Sequence, residues 1–274
     1  MAMKAELQKR QLIDRVAERV RQRMEADRAD LAERFVREFY AHVPPDDIIK
    51  EGADNLYGAA MSLWSHAQVR KVGTAKVRVY NPRPDEHGWA STHSIVEIVN
   101  DDMPFLVDSV TAEIARAGAE VLLIIHPILG IARNGKGKIA MLGEQSKAAA
   151  GESFMHVQIS EQPSERHGEI ATGLSKVLAD VRASVEDWRA MRRRLHAILG
   201  ELQESPPPLP AAEIEQGIAF LNWMDDDHFT YLGYREYNFE GKGDTAVARI
   251  QADSGLGVLR DDEVSVFDGL RNLG

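Results

Sequence analysis

Cysteine is absent from the chain. Structural disulfides, iron–sulfur clusters, thiolate zinc sites and cysteine nucleophiles are excluded together. A disulfide-free sequence fits a reducing compartment, and cytoplasmic is the expected location. Long apolar runs are missing too. The longest, Val121–Ile125, resumes after His126-Pro127 at Ile128-Leu129, well short of the roughly 18 residues of a membrane span. The opening MAMKAELQKRQLIDRVAERV is too charged to be a secretory signal. Positive charge is in deficit, with 33 Lys and Arg against 43 Asp and Glu and a net charge of −10. That balance favours solubility and disfavours nucleic acid and anionic membranes as partners.

Familiar catalytic signatures are also lacking. Gly255-Leu256-Gly257 has neither the third glycine nor the following helix of a dinucleotide fingerprint. Asn134-Gly135-Lys136-Gly137-Lys138 has the wrong glycine spacing for a phosphate-binding loop and reads better as a hairpin tip. Neither G-x-S-x-G nor H-E-x-x-H occurs. Asp225-Asp226-Asp227-His228 is dense in metal-type donors, but consecutive residues seldom converge on one ion, and a solvated cap explains the run better. His93, His126 and His156 fall on predicted strands, where lone histidines are usually satisfied structural residues. No catalytic, cofactor or metal residue is assigned to this segment.

What is present is a globular composition, 44% hydrophobic and 28% charged, sufficient to bury the core of one to two domains. Leu12, Val16, Val20 and Met24, continued by Leu31, Phe35, Val36, Phe39 and Tyr40, predict a helix that Pro44-Pro45 stops, with Asp46 capping the next. The period then shortens. Strands are predicted at Lys76–Tyr80, His93–Val99, Glu120–Ile128 (apolar enough to be covered on both faces) and Phe154–Ser160. A helix from the proline-bearing loop Asn100–Pro104 to Gly118 lies among them. This order predicts a ferredoxin-like split β-α-β unit.

A long helix follows over Glu165–Leu199. Ile170, Leu174, Val177, Val181, Ser184, Trp188, Met191, Leu195 and Ile198 form a heptad-like seam for another helix, in this chain or a partner. Arg189, Arg192, Arg193, Arg194 and His196 suit the negative end of its dipole. Ser205–Pro210 is a stiff extended connector. Beyond it, Ile214, Ile218 and Leu221 mark a short helix, Phe229–Phe239 an aromatic strand, and Gly241–Asp244 a turn into Thr245–Ile250. Two strands are opened with no visible pattern to complete their sheet, so the chain is expected to be part of a longer polypeptide.

The loop Asn100–Asp108 is the candidate site. It delivers a strand to the start of a helix, where free backbone N–H groups and the dipole suit a carboxylate. Asp101, Asp102 or Asp108 can meet an ammonium group. The same acids equally serve to cap the helix and complement its dipole.

The string Met103-Pro104-Phe105-Leu106-Val107-Asp108-Ser109-Val110-Thr111, followed by Ile125-His126-Pro127-Ile128, resembles the ACT-like module that opens the large bacterial NAD-specific glutamate dehydrogenases. Asp226–Glu236 and Gly255–Arg260 resemble later stretches of the same N-terminal half, so the likeness spans most of residues 30–262. It implies an α+β fold: an N-terminal helical segment (1–72), an ACT-like βαββαβ core (73–163), a long helix (164–204), a proline-rich linker (205–210) and the start of a second α+β domain (211–274). It implies a parent enzyme that oxidises L-glutamate to 2-oxoglutarate and ammonium, with NAD bound in a C-terminal part outside this segment. It also implies an amino-acid effector at Asp101, Asp102, Met103, Pro104, Phe105, Leu106 and Asp108. The implied partners are the remainder of the polypeptide and further copies in a homo-oligomer. Phe105 stands where effector-binding ACT modules usually have glycine. The alternative is a purely structural oligomerisation module without a ligand.

Overall fold

The first apolar stripe forms two helices where its periodicity predicts one. In the computed structural model, which describes residues 2–143, 151–241, 247–264 and 266, α1 spans Ala2–Arg23 and α2 spans Ala26–Ala41. The chain reverses at Met24-Glu25, with Glu25 extended at φ −63 and ψ 144. Lys9 Nζ donates to the carbonyls of Ala41 and Val43 at 2.7 and 2.6 Å. At the other end Arg21 clasps Glu33 with bonds of 2.5 and 2.6 Å, so the pair runs antiparallel. Reversal lets Leu12, Val16 and Val20 share one core with Phe35, Val36 and Phe39. A continuous helix, at about 1.5 Å per residue, would carry the second stripe out of reach. α3 is a single turn, Pro45–Ile48, capped by Pro44, and α4 (Ala53–Ala67) starts after Gly52. Asp46 therefore lies inside a helix and does not cap one.

The sheet follows. β1 spans Lys76–Tyr80, the one-turn helix α5 Pro84–His87, β2 Ser94–Asp101, α6 Leu106–Arg116 and β3 Val121–Ile125. β4 spans Ile128–Arg133, β5 Ile139–Leu142, β6 Gly151–Ile159 and α7 Ser164–Glu204. Six strands form one sheet in the order β1-β2-β6-β4-β5, with β3 also on β6. All pairings are antiparallel.

β3 and β4 are successive parts of one path along β6. Ile125 pairs with His156 and Ile128 with Ser153. Pro127, having no N–H, interrupts the ladder between them, while its carbonyl accepts from Phe154 at 3.1 Å. β3 is thus an edge strand, and Leu122 is 47% exposed, correcting the expectation of a run covered on both faces. The α+β, ferredoxin-like layout stands, with one particular: the edge beside β2 is filled by β1, which precedes β2 in the chain.

Alternation along the strands divides the core. Val99, Ile125 and Phe154 join the cluster of α1, α2 and α4. Val96, Ile98, Met155 and Val157, equally buried, face the other way. α6 buries Leu106, Val110 and Ile114, and at Gly173 of α7 a side chain would collide with the Glu113 carboxylate. Gly118, at φ +74, ends α6, and Asn134 closes the β4–β5 turn by accepting from the amides of Lys136 and Lys138.

The chain divides into compact units at 178/179, within α7 and not at the prolines. Along α7 the buried stripe is Ile170, Leu174, Leu178, Val181, Ser184, Asp187, Met191, Leu195 and Leu199. Trp188, expected in the seam, is 45% exposed, and Val177 and Ile198 yield to Leu178 and Leu199. A straight helix drifts against a strict heptad, which moves the stripe.

In the second unit Asp187 accepts from Gly257 N and from Arg260 at 2.6 and 2.7 Å, and Ser184 donates to the Leu232 carbonyl at 2.9 Å. α8 (Ala211–Trp223) leads through a turn at Met224–His228 to β7 (Gly233–Tyr234), β8 (Tyr237–Glu240), β9 (Val247–Ile250) and β10 (Leu256–Gly257). β7 pairs with β10 and β8 with β9. The expected continuous strand Phe229–Phe239 is broken at Arg235, whose guanidinium binds the carbonyls of Leu259 and Val264 at 2.8 Å each. The expected turn at Gly241–Asp244 lies largely outside the described residues. Among the described residues no helix is long and apolar enough to cross a membrane.

Candidate functional site

The passage from β2 into α6 has the predicted form. β2 ends at Asp101, α6 begins at Leu106, and Phe105 occupies the capping position with φ +69. No side-chain hydrogen bond caps the helix, and its first backbone bond runs from Ser109 N to Phe105 O at 3.0 Å. The seven predicted residues separate by role. Asp102, Pro104 and Asp108 are exposed, Phe105 is 49% exposed, Met103 is half-buried, and Leu106 lies in the core.

Asp101 belongs to a buried ion cluster. Its carboxylate takes Arg70 Nη2 at 2.6 Å and Gly73 N at 2.9 Å. Arg70 also meets Glu152 at 2.9 Å, and Glu152 receives Arg133 through bonds of 2.7 and 2.8 Å. Arg133 donates onward to the carbonyls of Ala67 and Gly137 at 2.9 and 2.8 Å. Burial opposes the charge of Arg70, but its bonds to Glu152 and Asp101 outweigh this and raise its pKa above the ordinary value. A buried charge is tolerated only when partnered in this way. The cluster ties the end of α4, the start of β6, the β4–β5 hairpin and the end of β2 together, and so fixes where the loop begins.

Beside it, Asp102 N donates to Gly151 O at 2.9 Å. His126, at the break between β3 and β4, shares a hydrogen bond of 2.7 Å with Ser153 Oγ. Burial lowers the His126 pKa, and Asp102 pulls it the other way. Ser153 is fully buried, so the pair is structural and offers no exposed nucleophile. His93 precedes β2, and His156 lies at the middle of β6, wholly buried between Phe39 and Trp89.

The other sequence candidates take structural places. Asp225 is bound by Arg192 at 2.6 Å and His196 at 2.7 Å, and these hydrogen bonds hold its carboxyl below the ordinary range. His228 stacks on Trp223. Among the described residues no group of His, Asp and Glu is arranged to hold a metal ion. Gly255 and Gly257 stand where the backbone crosses the carbonyls of Leu259 and Leu232 too closely for any side chain. Sequence reasoning missed Arg70, Arg133 and Glu152, which carry no local signature and meet only through the tertiary fold.

A family model described as "Glutamate dehydrogenase, ACT1 domain" matches residues 35–174. The NAD-specific glutamate dehydrogenase of Halomonas elongata is 36% identical over 267 residues, covering 95% of this chain and 16% of the relative. That of Pseudomonas aeruginosa is 31% identical over 232 residues, covering 82% of the chain and 14% of the relative. That of Mycobacterium tuberculosis is 28% identical over 212 residues, covering 75% and 12%. The chain therefore spans a small fraction of the length of the curated relatives it matches.

Proposed function

The chain belongs to the NAD-specific glutamate dehydrogenase family through its ACT1 domain, and from that premise we propose that it is a non-catalytic regulatory and assembly segment of such an enzyme. The parent reaction is oxidation of L-glutamate with NAD and water to 2-oxoglutarate, ammonium and NADH. Catalytic lysine and cofactor domain lie elsewhere in the polypeptide, and the segment works in the cytoplasm without binding nucleic acid or membrane. The observation that carries this reading is the match over residues 35–174, which takes in the whole sheet and α6. An amino-acid effector meets the uncapped start of α6 with its carboxylate and Asp102 or Asp108 with its ammonium.

The test is kinetic. Glutamate-dependent NADH formation is compared for the full-length enzyme and for variants with Asp102 and Asp108 changed to Asn. Loss of amino-acid modulation with an intact basal rate supports effector binding, and modulation that survives both changes counts against it.

The second reading is an oligomerisation module without a ligand. Two observations favour it: Asp101 is already engaged by Arg70 and Gly73, and Phe105, not glycine, takes the left-handed position that opens α6. Light scattering on the 274-residue chain distinguishes this reading, since a monomer at high concentration contradicts assembly through these residues.

A further inference from the structure

A cavity of about 620 Å³ opens at the surface of the first unit, between the start of α2, the second half of α4 and the β4–β5 hairpin. None of the loop residues 100–108 lines it. Its apolar wall is built from Met24, Leu31, Met61, Trp64 and Ile139. Trp64 and Ile139 belong to the buried core, and Met24, Leu31 and Met61 pack half-buried against it. The size suits a small organic ligand, since such sites usually enclose about 300–1,000 Å³.

The formal charges among its described lining residues are both positive, Arg28 from the first turn of α2 and Lys138 from the hairpin. Both side chains are exposed, and neither has a hydrogen-bond or ion-pair partner among the described residues. Glu25 and Asp30, near Arg28 in the chain, do not line the cavity. The wall that carries Lys138 is fixed by backbone bonds. Arg70 N donates to Gly137 O at 3.0 Å and Ile139 N to Gln68 O at 3.1 Å, which fastens the hairpin to the end of α4. A side chain at Gly137 would collide with the Arg70 carbonyl. Trp64 in turn packs on Phe35, with ring centroids 5.1 Å apart. The cavity is therefore preformed, with its buried wall apolar and its exposed charge positive.

We propose that this cavity binds a small organic carboxylate with an apolar tail. The tail replaces water over Met24, Met61 and Trp64, and the carboxylate meets Arg28 and Lys138 at the opening. Both cations are donors only, which matches a group that only accepts. An ammonium compound is disfavoured, because no carboxylate stands among the described lining residues. The ligand class differs from the amino acid of the α6 loop, so the two readings stand or fall separately.

The test is titration of the 274-residue chain with octanoate, acetate and octylammonium, followed by the Met24 and Met61 methyl resonances in carbon-13 spectra. Octanoate is expected to give saturable shifts at both methyls. Acetate, which has the charge without the tail, and octylammonium, which has the tail with the opposite charge, are expected to give none. Changing Arg28→Gln and Lys138→Gln together, on exposed side chains, weakens octanoate about tenfold, equivalent to about 1.4 kcal/mol. Asp102→Asn leaves it unchanged. Methyls that do not respond, an equal response to acetate or octylammonium, or octanoate binding that survives the double change overturns the proposal. A response abolished by Asp102→Asn also overturns it and favours the loop. Calorimetry on the full-length enzyme is expected to show the same octanoate binding. Its loss there would mean that the rest of the polypeptide covers the cavity, and the proposal would fail.

Discussion

Arg133 grips Glu152 through two parallel hydrogen bonds of 2.7 and 2.8 Å, with both side chains sealed from solvent. Glu152 also meets Arg70, whose side chain is wholly buried. Glu152 therefore touches both buried guanidinium groups, and with Asp101 on Arg70 two carboxylates balance two cations. Removing Glu152 strands charge in the interior, a change that typically costs about 3–5 kcal/mol. Glu152→Ala is expected to lower stability by that amount, read from urea denaturation. A loss below about 1 kcal/mol, the scale of an exposed pair, would mean that water reaches the cluster.

The strand-to-helix passage was legible because its signals are local. Pro104 sits just ahead of α6, Gly118 takes the left-handed conformation that ends it, and Asn134 closes its own turn. The engagement of Asp101 was not legible, since Arg70 lies 31 residues from Asp101 and 82 from Glu152 in the chain. At Trp188 the seam of α7 departs from the heptad through helical drift, and a distant partner then holds its neighbour inward. Asp187 is drawn inward by Arg260, 73 residues on.

The contact between Gly58 and Trp89 can be tested directly. Gly58→Ala places a methyl group against the indole of Trp89, and overpacking of this kind typically costs about 1–3 kcal/mol. A blunted near-ultraviolet circular dichroism signal is expected with the loss. Gly52→Ala is the control, because no atom lies within 4 Å of the added group. Equal effects at the two positions would show that the indole can move aside.

Phe105 is a non-glycine residue in the left-handed region, at φ +69, with its ring half exposed. That conformation costs an L-residue about 1–2 kcal/mol. Phe105→Gly relieves the strain and gives up little burial, so a gain of about 1 kcal/mol in urea stability is expected. A loss of stability would show that the ring makes contacts worth more than the strain. The variant also bears on the effector reading, because it removes bulk at the entrance of α6 without touching Asp102 or Asp108.

Mild acid should destabilise the first unit through His156. Burial depresses its pKa from 6.5 to about 4, and Glu97 offsets this only in part. Burial lowers His66 to about 4 as well, aided by Arg78. The folded state thus keeps His156 neutral, while the unfolded chain takes up a proton near pH 6.5. Stability from this site is complete above that pH and falls as the pH drops towards 4, by up to about 1.4 kcal/mol per unit. Asp187, held below its ordinary 3.8 mainly by Arg260, loses its contribution only as the pH falls through that lower range. Urea midpoints measured from about pH 7 down to about pH 4.5 should therefore decline in the native chain. They should decline less in His156→Phe, which keeps an aromatic ring beside Phe39 and Trp89. Parallel slopes in the two proteins would place the acid sensitivity elsewhere.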